Sequence, residues 1–335
     1  MDHSASALGC RYLFGPVSSR RLGRSLGVDL LPYKTCSLDC VYCECGATTD
    51  LTTRIVRHVP TADVLAELDD FLDREPALDF ITFAGSGEPT LHADLGELIA
   101  HLKRRHARYK VAVLSNGTLF GQAETRAAVR QADLLIPSLD GATTASFQKI
   151  DRPAPSIDVA AVIDGLVALR QEYTGTLVLE VFVVPGVNDC EQEVSALRAA
   201  ALRIKPEAVQ LNRLDRPGIF PWVRQASDEL LARIQAQLQP LAVFAVKRRS
   251  SSKDRRVDDG QARTAILARL ADRAFDTTTL AFLLGLPEGL VAEHVSQLLA
   301  EGRLARIPPD ESATAGLPHR LLVRAVPEVA QMGGR

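Results

Sequence analysis

The 335-residue chain has room for one large domain, or for a large domain with a small appendage. Its composition, 46% hydrophobic and 24% charged with a formal net charge of −2, is that of an ordinary globular protein and excludes a global attraction to nucleic acid. Six cysteines do not suggest a disulfide scaffold, residues 1–10 lack a cationic and apolar leader, and no apolar run reaches the length of a membrane span, so a soluble protein in the reducing cytoplasm, with no membrane partner, is expected.

The first stretch, Leu13 to Arg24, is rich in turn formers and arginine. It reads as a surface loop or as an anion-binding lip, with Arg20, Arg21 and Arg24 as the donors. Ser25 to Leu31 is a short apolar strand that runs into Pro32 and then into Cys36-Ser-Leu-Asp-Cys40-Val-Tyr-Cys43. From Thr61 helix and strand alternate. The helices are expected at 62–74, 95–105, 122–132, 159–172, 191–202 and 228–238, where apolar residues recur at helical spacing. The strands are expected at 80–84, 111–114, 134–137, 176–184 and 208–211, with 242–246 as an edge strand.

About six βα units in succession predict an α/β fold with a parallel sheet covered by helices, and either an open doubly wound sheet or a barrel satisfies the pattern. In both, functional loops follow the C-terminal ends of strands. The polar and glycine-rich turns fall there: Cys36–Cys43, Gly85–Glu88, Ser115–Gly117, Ser138–Asp140, Gly186–Asn188 and Asn212.

After Lys247 the composition changes. Residues 1–247 are expected to form the large domain, 248–259 an arginine- and serine-rich linker, 260–326 a small domain and 327–335 a tail. The small domain reads as a helix at 262–273, a shorter one at 278–284, a third from Pro287 to Gly302 and a hairpin within 304–324, which is the order of a winged helix. The third helix carries little positive charge for reading DNA, so recognition of a protein or RNA, or a structural lid, are the competing roles.

The cysteines are spaced C-x3-C-x2-C. Three compact thiolates suit one face of an iron–sulfur cluster and leave one iron of a cubane without a protein thiolate. A zinc site is the alternative, with Cys45 or His58 as the fourth ligand. Glycines in Gly85-Ser86-Gly87-Glu88 let backbone approach a ligand closely, and exposed carbonyls there suit an ammonium group. Ser138 and Asp140 offer a hydroxyl and a carboxylate to ribose hydroxyls, and Ser115-Asn116 a similar pair; each is equally a helix-cap or turn sequence.

Together, Cys36/Cys40/Cys43, Phe83–Thr90, Leu114–Thr118, Ser138–Asp140 and Val184–Asn188 resemble the radical S-adenosylmethionine (SAM) superfamily, over roughly residues 14–246. The stretches Gly-Glu-Pro-Thr-Leu, Ile150-Asp-Arg-Pro153 and Asp215-Arg-Pro-Gly218 are similar to a branch related to the tRNA wyosine-synthesising enzymes and to the radical enzymes of molybdenum- and nitrogenase-cofactor assembly. The resemblance implies a partial (β/α)6 TIM-like barrel with the winged-helix-like domain appended. It implies that Cys36, Cys40 and Cys43 hold a [4Fe–4S] cluster and that the amino and carboxylate groups of SAM take its fourth iron. Tyr42 would lie near the adenine, and Gly85, Ser86, Gly87 and Glu88 would receive the methionine ammonium, although Ser86 interrupts the family's adjacent glycines. Ser115, Asn116, Ser138, Asp140 and Asn188 would line the same pocket. The implied reaction is reductive cleavage of SAM to a 5′-deoxyadenosyl radical that takes hydrogen from a substrate (small molecule, RNA or peptide), with flavodoxin or ferredoxin as electron donor. A narrower alternative is tRNA modification, which calls for basic surface at the barrel mouth from Arg20, Arg21, Arg24 and Lys34. A rival of another class is an iron–sulfur transcriptional sensor acting through the C-terminal domain.

Overall fold

The computed structural model describes residues 10–19, 21–215, 220–246, 259–270, 277–284, 286, 288–307 and 323–326. The described residues fall into two compact units, 10–19 with 24–246, and 259–326 with 21–23.

The larger unit is an α/β layer structure. Its strands are β1 (Leu13–Ser19), β2 (Gly23–Val28), the two-residue β3 (Thr35–Cys36) and β4 (Asp50–Leu51), β5 (Phe80–Phe83), β6 (Lys110–Ser115), β7 (Leu134–Pro137), β8 (Thr176–Phe182), β9 (Ala208–Asn212) and β10 (Val243–Ala245). Its helices are α1 (Thr61–Leu72), α2 (Leu95–Arg105), α3 (Ala123–Val129), α4 (Thr144–Ile150), α5 (Val159–Glu172), α6 (Glu191–Ile204) and α7 (Asp228–Gln237). Eight strands form one sheet in the order β1-β2-β5-β6-β7-β8-β9-β10, parallel from β2 to β10. By strand pairing among the described residues, the sheet has two edges, β1 and β10. Helical crossovers between parallel neighbours are what the alternating periodicity demands.

The central strands are buried along their length: Phe80-Ile-Thr-Phe83 and Leu134-Leu-Ile-Pro137 are buried throughout, and polar side chains on them pair across the sheet, Ser25 with Thr82 at 2.6 Å and Gln210 with Glu180. The helices bury one stripe each, Leu95, Leu98, Ile99 and Leu102 in α2 for example. Side-chain caps set several helix starts: Thr143 accepts from Ser146 N–H, Asp158 from Ala161 N–H and Ser227 from Leu230 N–H.

Two expectations are corrected. Residues 13–19 form an edge strand rather than a loop. Its Gly15-Pro16 is tolerated at a sheet edge, and its Phe14 ring packs over Gly27 of β2, where a Cβ would stand 2.0 Å from the ring. Arg24 lies near the start of β2, at the opposite end of the strand from the cysteine loop, and Lys34 is buried, so neither supplies basic surface at the mouth. Arg20 and residues 216–218 of the Asp215–Gly218 stretch lie outside the described residues.

In the smaller unit, α8 (Asp259–Leu270), α9 (Thr277–Leu284) and α10 (Glu288–Ala300) bury Ile266, Leu280, Val291 and Leu298. β11 (Leu304–Arg306) pairs antiparallel with β12 (Val323–Ala325). The expected linker up to residue 258 and the tail 327–335 lie outside the described residues. Among the described residues, no helix is long and apolar enough to cross a membrane.

Candidate functional site

Because β2 to β9 are parallel and in register, their C-terminal ends line one edge of the sheet: Val28 pairs with Phe83, Phe83 with Val113, Ser115 with Pro137 and Phe182 with Asn212. The cysteine loop follows β2 and leans on the turns of its neighbours. Glu88 N–H donates to Thr35 O at 3.2 Å, and Gly87 approaches that carbonyl so closely that a Cβ would stand 2.0 Å from it. Ser37 Oγ shares a hydrogen bond with Thr118 Oγ1 (2.7 Å) and accepts one from Asn116 Nδ2 (2.8 Å).

On the other side the loop is held by the stretch after α4. Val41 N–H donates to Ile150 O and Asp39 N–H to Asp151 O, both at 2.9 Å, and Ala154 N–H donates to Ser37 O at 3.0 Å. Arg152, at φ 47°, pairs with Asp39 at 2.9 Å. The Ile150–Pro153 motif therefore docks the cysteine loop. Sequence reasoning singled out this motif without a role, because its partners lie over a hundred residues upstream.

Each thiol of the loop has a different neighbour. Cys36 Sγ accepts from Asn116 Nδ2 at 3.5 Å. Cys40 donates to Asp151 Oδ1 at 3.6 Å. Cys43 Sγ accepts from the Lys34 ammonium at 2.9 Å. Their proton affinities diverge accordingly. Burial pushes Cys36 up to about 11, and burial followed by the Asp151 carboxyl pushes Cys40 well above its ordinary value. Cys43 is held down to about 5, first by the Cys45 thiol that donates to it and then by Lys34. Cys45 also reaches Gly85 O at 3.6 Å. Lys34, expected as surface charge, is 3% exposed.

The remaining candidates lie around the same strand ends, many with their side chains engaged. Glu88, 2% exposed, accepts from Thr90 N–H (3.1 Å), Thr90 Oγ1 (2.6 Å), Ser115 Oγ (2.8 Å) and Asn116 N–H (2.6 Å), while burial raises its pKa. Ser86 N–H and Oγ both bond Asp29 Oδ2, at 2.9 and 2.8 Å. Asp140 takes Phe182 N–H at 2.6 Å and the Tyr42 hydroxyl, and burial lifts it to about 7. Tyr42 also stacks on Phe182, centroids 3.7 Å apart and planes 5° off parallel. Asn188 clamps three backbone groups: its Oδ1 accepts from Val184 N–H and its Nδ2 donates to Asp140 O and Phe182 O. Ser138 N–H bonds Ser115 O, which joins the β6 and β7 turns. Burial, then the Asp140 carboxylate, drives Asp151 well above the carboxylate range.

Thiolates sharing one tetrahedral zinc stand about 3.8 Å apart, given a Zn–S bond of about 2.3 Å. Among the described residues, the three ligand atoms mutually within 4.8 Å belong to Asp69, His101 and His106, away from the cysteine loop. A cubane engages its thiolates through separate irons, so they need not converge on one point. All four loop thiols, Cys45 included, are free, and donors from Lys34 and Asn116 aim at two of the sulfurs, which suits an anionic iron–sulfur centre.

Parallel strands that gather a three-thiol loop and several polar turns at one sheet edge define an α/β protein with a cofactor-type site at its strand ends. The chain belongs to the Radical SAM superfamily, whose family model matches residues 30–197. It is 39% identical over 207 residues to a UPF0026 protein of Synechocystis, a match covering 61% of this chain and 76% of that one. It is 34% identical over 221 residues to a UPF0026 protein of Helicobacter pylori, covering 65% and 71%. A Brachyspira hyodysenteriae protein described as GTPase Obg is 39% identical over 210 residues, but the match spans 63% of this chain and only 31% of that protein. Among solved structures, a radical SAM methyltransferase from Sphaerobacter thermophilus superposes with a TM-score of 0.51 at 17% identity, covering 66% of this chain and 65% of that one. The radical SAM methyltransferase TsrM of Kitasatospora setae, solved with cobalamin and a [4Fe–4S] cluster, gives 0.51 at 12% identity, covering 81% and 61%. Both share the fold.

Proposed function

We propose that the protein is a radical SAM enzyme in which Cys36, Cys40 and Cys43 hold a [4Fe–4S] cluster beside a SAM pocket at the strand ends. The observation that carries this reading is the buried, thiol-directed environment of the cysteine loop, with Lys34 on Cys43 at 2.9 Å and Asn116 on Cys36 at 3.5 Å. When bound, the cluster and SAM supply one-electron cleavage of the sulfonium C–S bond, releasing methionine and a 5′-deoxyadenosyl radical that takes hydrogen from the substrate.

The residues of this chain bind, orient and exclude water. The Gly85–Gly87 backbone supplies carbonyls for the methionine ammonium. Glu88 fixes that turn from behind, because its carboxylate is taken up by Thr90, Ser115 and Asn116. Tyr42, flattened on Phe182, forms the wall on the adenine side. Asp140 and Asn188 tie the β7 and β8 ends together, and Ser138 would meet the ribose. The electron donor is a flavodoxin or ferredoxin, the setting is cytoplasmic, and residues 260–326 form a winged-helix-like accessory domain, supported by three helices followed by an antiparallel strand pair.

The test is anaerobic reconstitution of the full chain, followed by reductant and SAM. 5′-Deoxyadenosine is expected from the wild type and not from a Cys40→Ala control. A wild type that carries a reducible cluster yet releases no nucleoside above the control overturns the reading.

A further inference from the structure

Lys34 is a buried ammonium whose partners are not carboxylates. Its Nζ donates to Cys43 Sγ at 2.9 Å and to Gly46 O at 3.1 Å, and among the described residues it forms no ion pair with an acidic side chain. A buried cation is costly unless a negative charge faces it. The negative charge within reach is Cys43 sulfur in its thiolate form, the form a metal ligand takes. Gly46, at φ 92°, turns the chain after Cys43 so that its carbonyl takes a second ammonium hydrogen. An ammonium has three N–H donors, and two are fixed by these bonds. The lysine is thereby tied to the end of the loop that carries Cys43.

We infer that Lys34 sets the reduction potential of the cluster through Cys43; this rests on the proposed cluster at Cys36, Cys40 and Cys43. Reduction adds one electron from a low-potential donor to the cluster and no proton, so the negative charge beside Lys34 increases. A fixed cation and an N–H···S bond favour that state and raise the potential, since net charge and hydrogen bonds to sulfur are the main protein controls on such centres. The other two thiols take no hydrogen bond from Lys34: Cys36 has a neutral amide at 3.5 Å and Cys40 a carboxyl group at 3.6 Å. The Lys34 charge faces all three thiols, and its direct N–H···S bond falls on the ligand at the C-terminal end of the loop.

The test is potentiometry of the reconstituted full-length chain without SAM, read by the electron paramagnetic resonance of the reduced cluster, on wild type, Lys34→Met, Lys34→Gln and Lys34→Arg. Lys34→Met is expected to lower the reduced-to-oxidised ratio about tenfold at the wild-type midpoint, which is 59 mV for a one-electron couple. Lys34→Gln, which keeps a donor but not the charge, should fall between, and Lys34→Arg should stay near wild type. If Lys34→Met loads poorly, the Lys34→Gln and Lys34→Arg pair decides. Unchanged potentials at equal iron content overturn the inference while leaving the enzyme reading intact. A SAM affinity that falls while the SAM-free potential holds also overturns it, by assigning Lys34 to the bound SAM carboxylate. A wild type that takes up no cluster overturns both.

Discussion

Glu88 at the end of β5 accepts the backbone N–H of Asn116 at the end of β6 at 2.6 Å, and the same carboxylate takes the Ser115 hydroxyl. Asn116 in turn donates to Ser37 and Cys36, so one buried carboxylate aligns two strand-end turns with the first cysteine. Glu88→Gln should destabilise the apo chain by about 2–3 kcal/mol, because a charge-assisted bond is lost and an amide NH2 meets donors. Glu88→Ala should lose more. Urea denaturation of the apo protein measures both, and a loss under 1 kcal/mol for the alanine would deny Glu88 this bracing role.

Gly87 offers a sharper test of the contact between turn and loop. A Cβ there would stand 2.0 Å from Thr35 O, immediately before Cys36, with nothing flexible to give way. Gly87→Ala should therefore displace β3, destabilise by about 1–3 kcal/mol and lower iron bound per chain after reconstitution. Gly186 is the control. Its φ of +79° strains any side chain, but its Cβ would meet open space. Gly186→Ala should cost about 1 kcal/mol and leave iron loading unchanged. Equal loading by the two variants would mean that the Gly87 contact does not position Cys36.

The order of strands and helices was legible because periodicity is a local property. α2 and α5 occupy the spans their apolar spacing predicts, 95–105 and 159–172. β1 was not legible, because Gly15-Pro16 mimics a loop and only the packing of Phe14 on Gly27 reveals an edge strand. In the site, the spacing of the cysteines pointed to a metal centre, and the turns pointed to one sheet edge. What the sequence does not state is who satisfies whom. Lys34 reads as surface charge until Cys43 is folded onto it, and Glu88 reads as the close of a turn until four donors surround it.

Tyr42 makes two separable contributions. Its ring stacks on Phe182 and its hydroxyl donates to Asp140, whose other oxygen holds Phe182 N–H. Tyr42→Phe keeps the stack and strips one donor from a buried carboxyl group, a loss of about 1–3 kcal/mol. Tyr42→Ala removes the packing as well, for about 3–5 kcal/mol. If the ring rather than the hydroxyl also forms the adenine wall, SAM affinity should fall strongly in Tyr42→Ala and little in Tyr42→Phe, as read by equilibrium dialysis. Equal affinities in the two variants would remove Tyr42 from the pocket.

His92, two residues after Thr90, is 1% exposed, and burial lowers its pKa to about 4. Its Nδ1 accepts His58 N–H at 3.2 Å, so the proton sits on Nε2, a buried donor without a partner among the described residues. The folded state thus keeps the ring neutral where the unfolded chain, with a value near 6.5, already protonates it. Between about 6.5 and 4 the unfolded state binds more protons, so stability falls as pH falls through that window and is fully retained above it. The full difference is at most about 3 kcal/mol. Urea midpoints should drop between pH 7 and pH 4.5, and the drop should shrink in His92→Asn, whose amide oxygen can still accept from His58 N–H. A His92 ring that titrates near 6.5 by NMR in the folded protein would refute the burial argument, whatever the denaturation curves do.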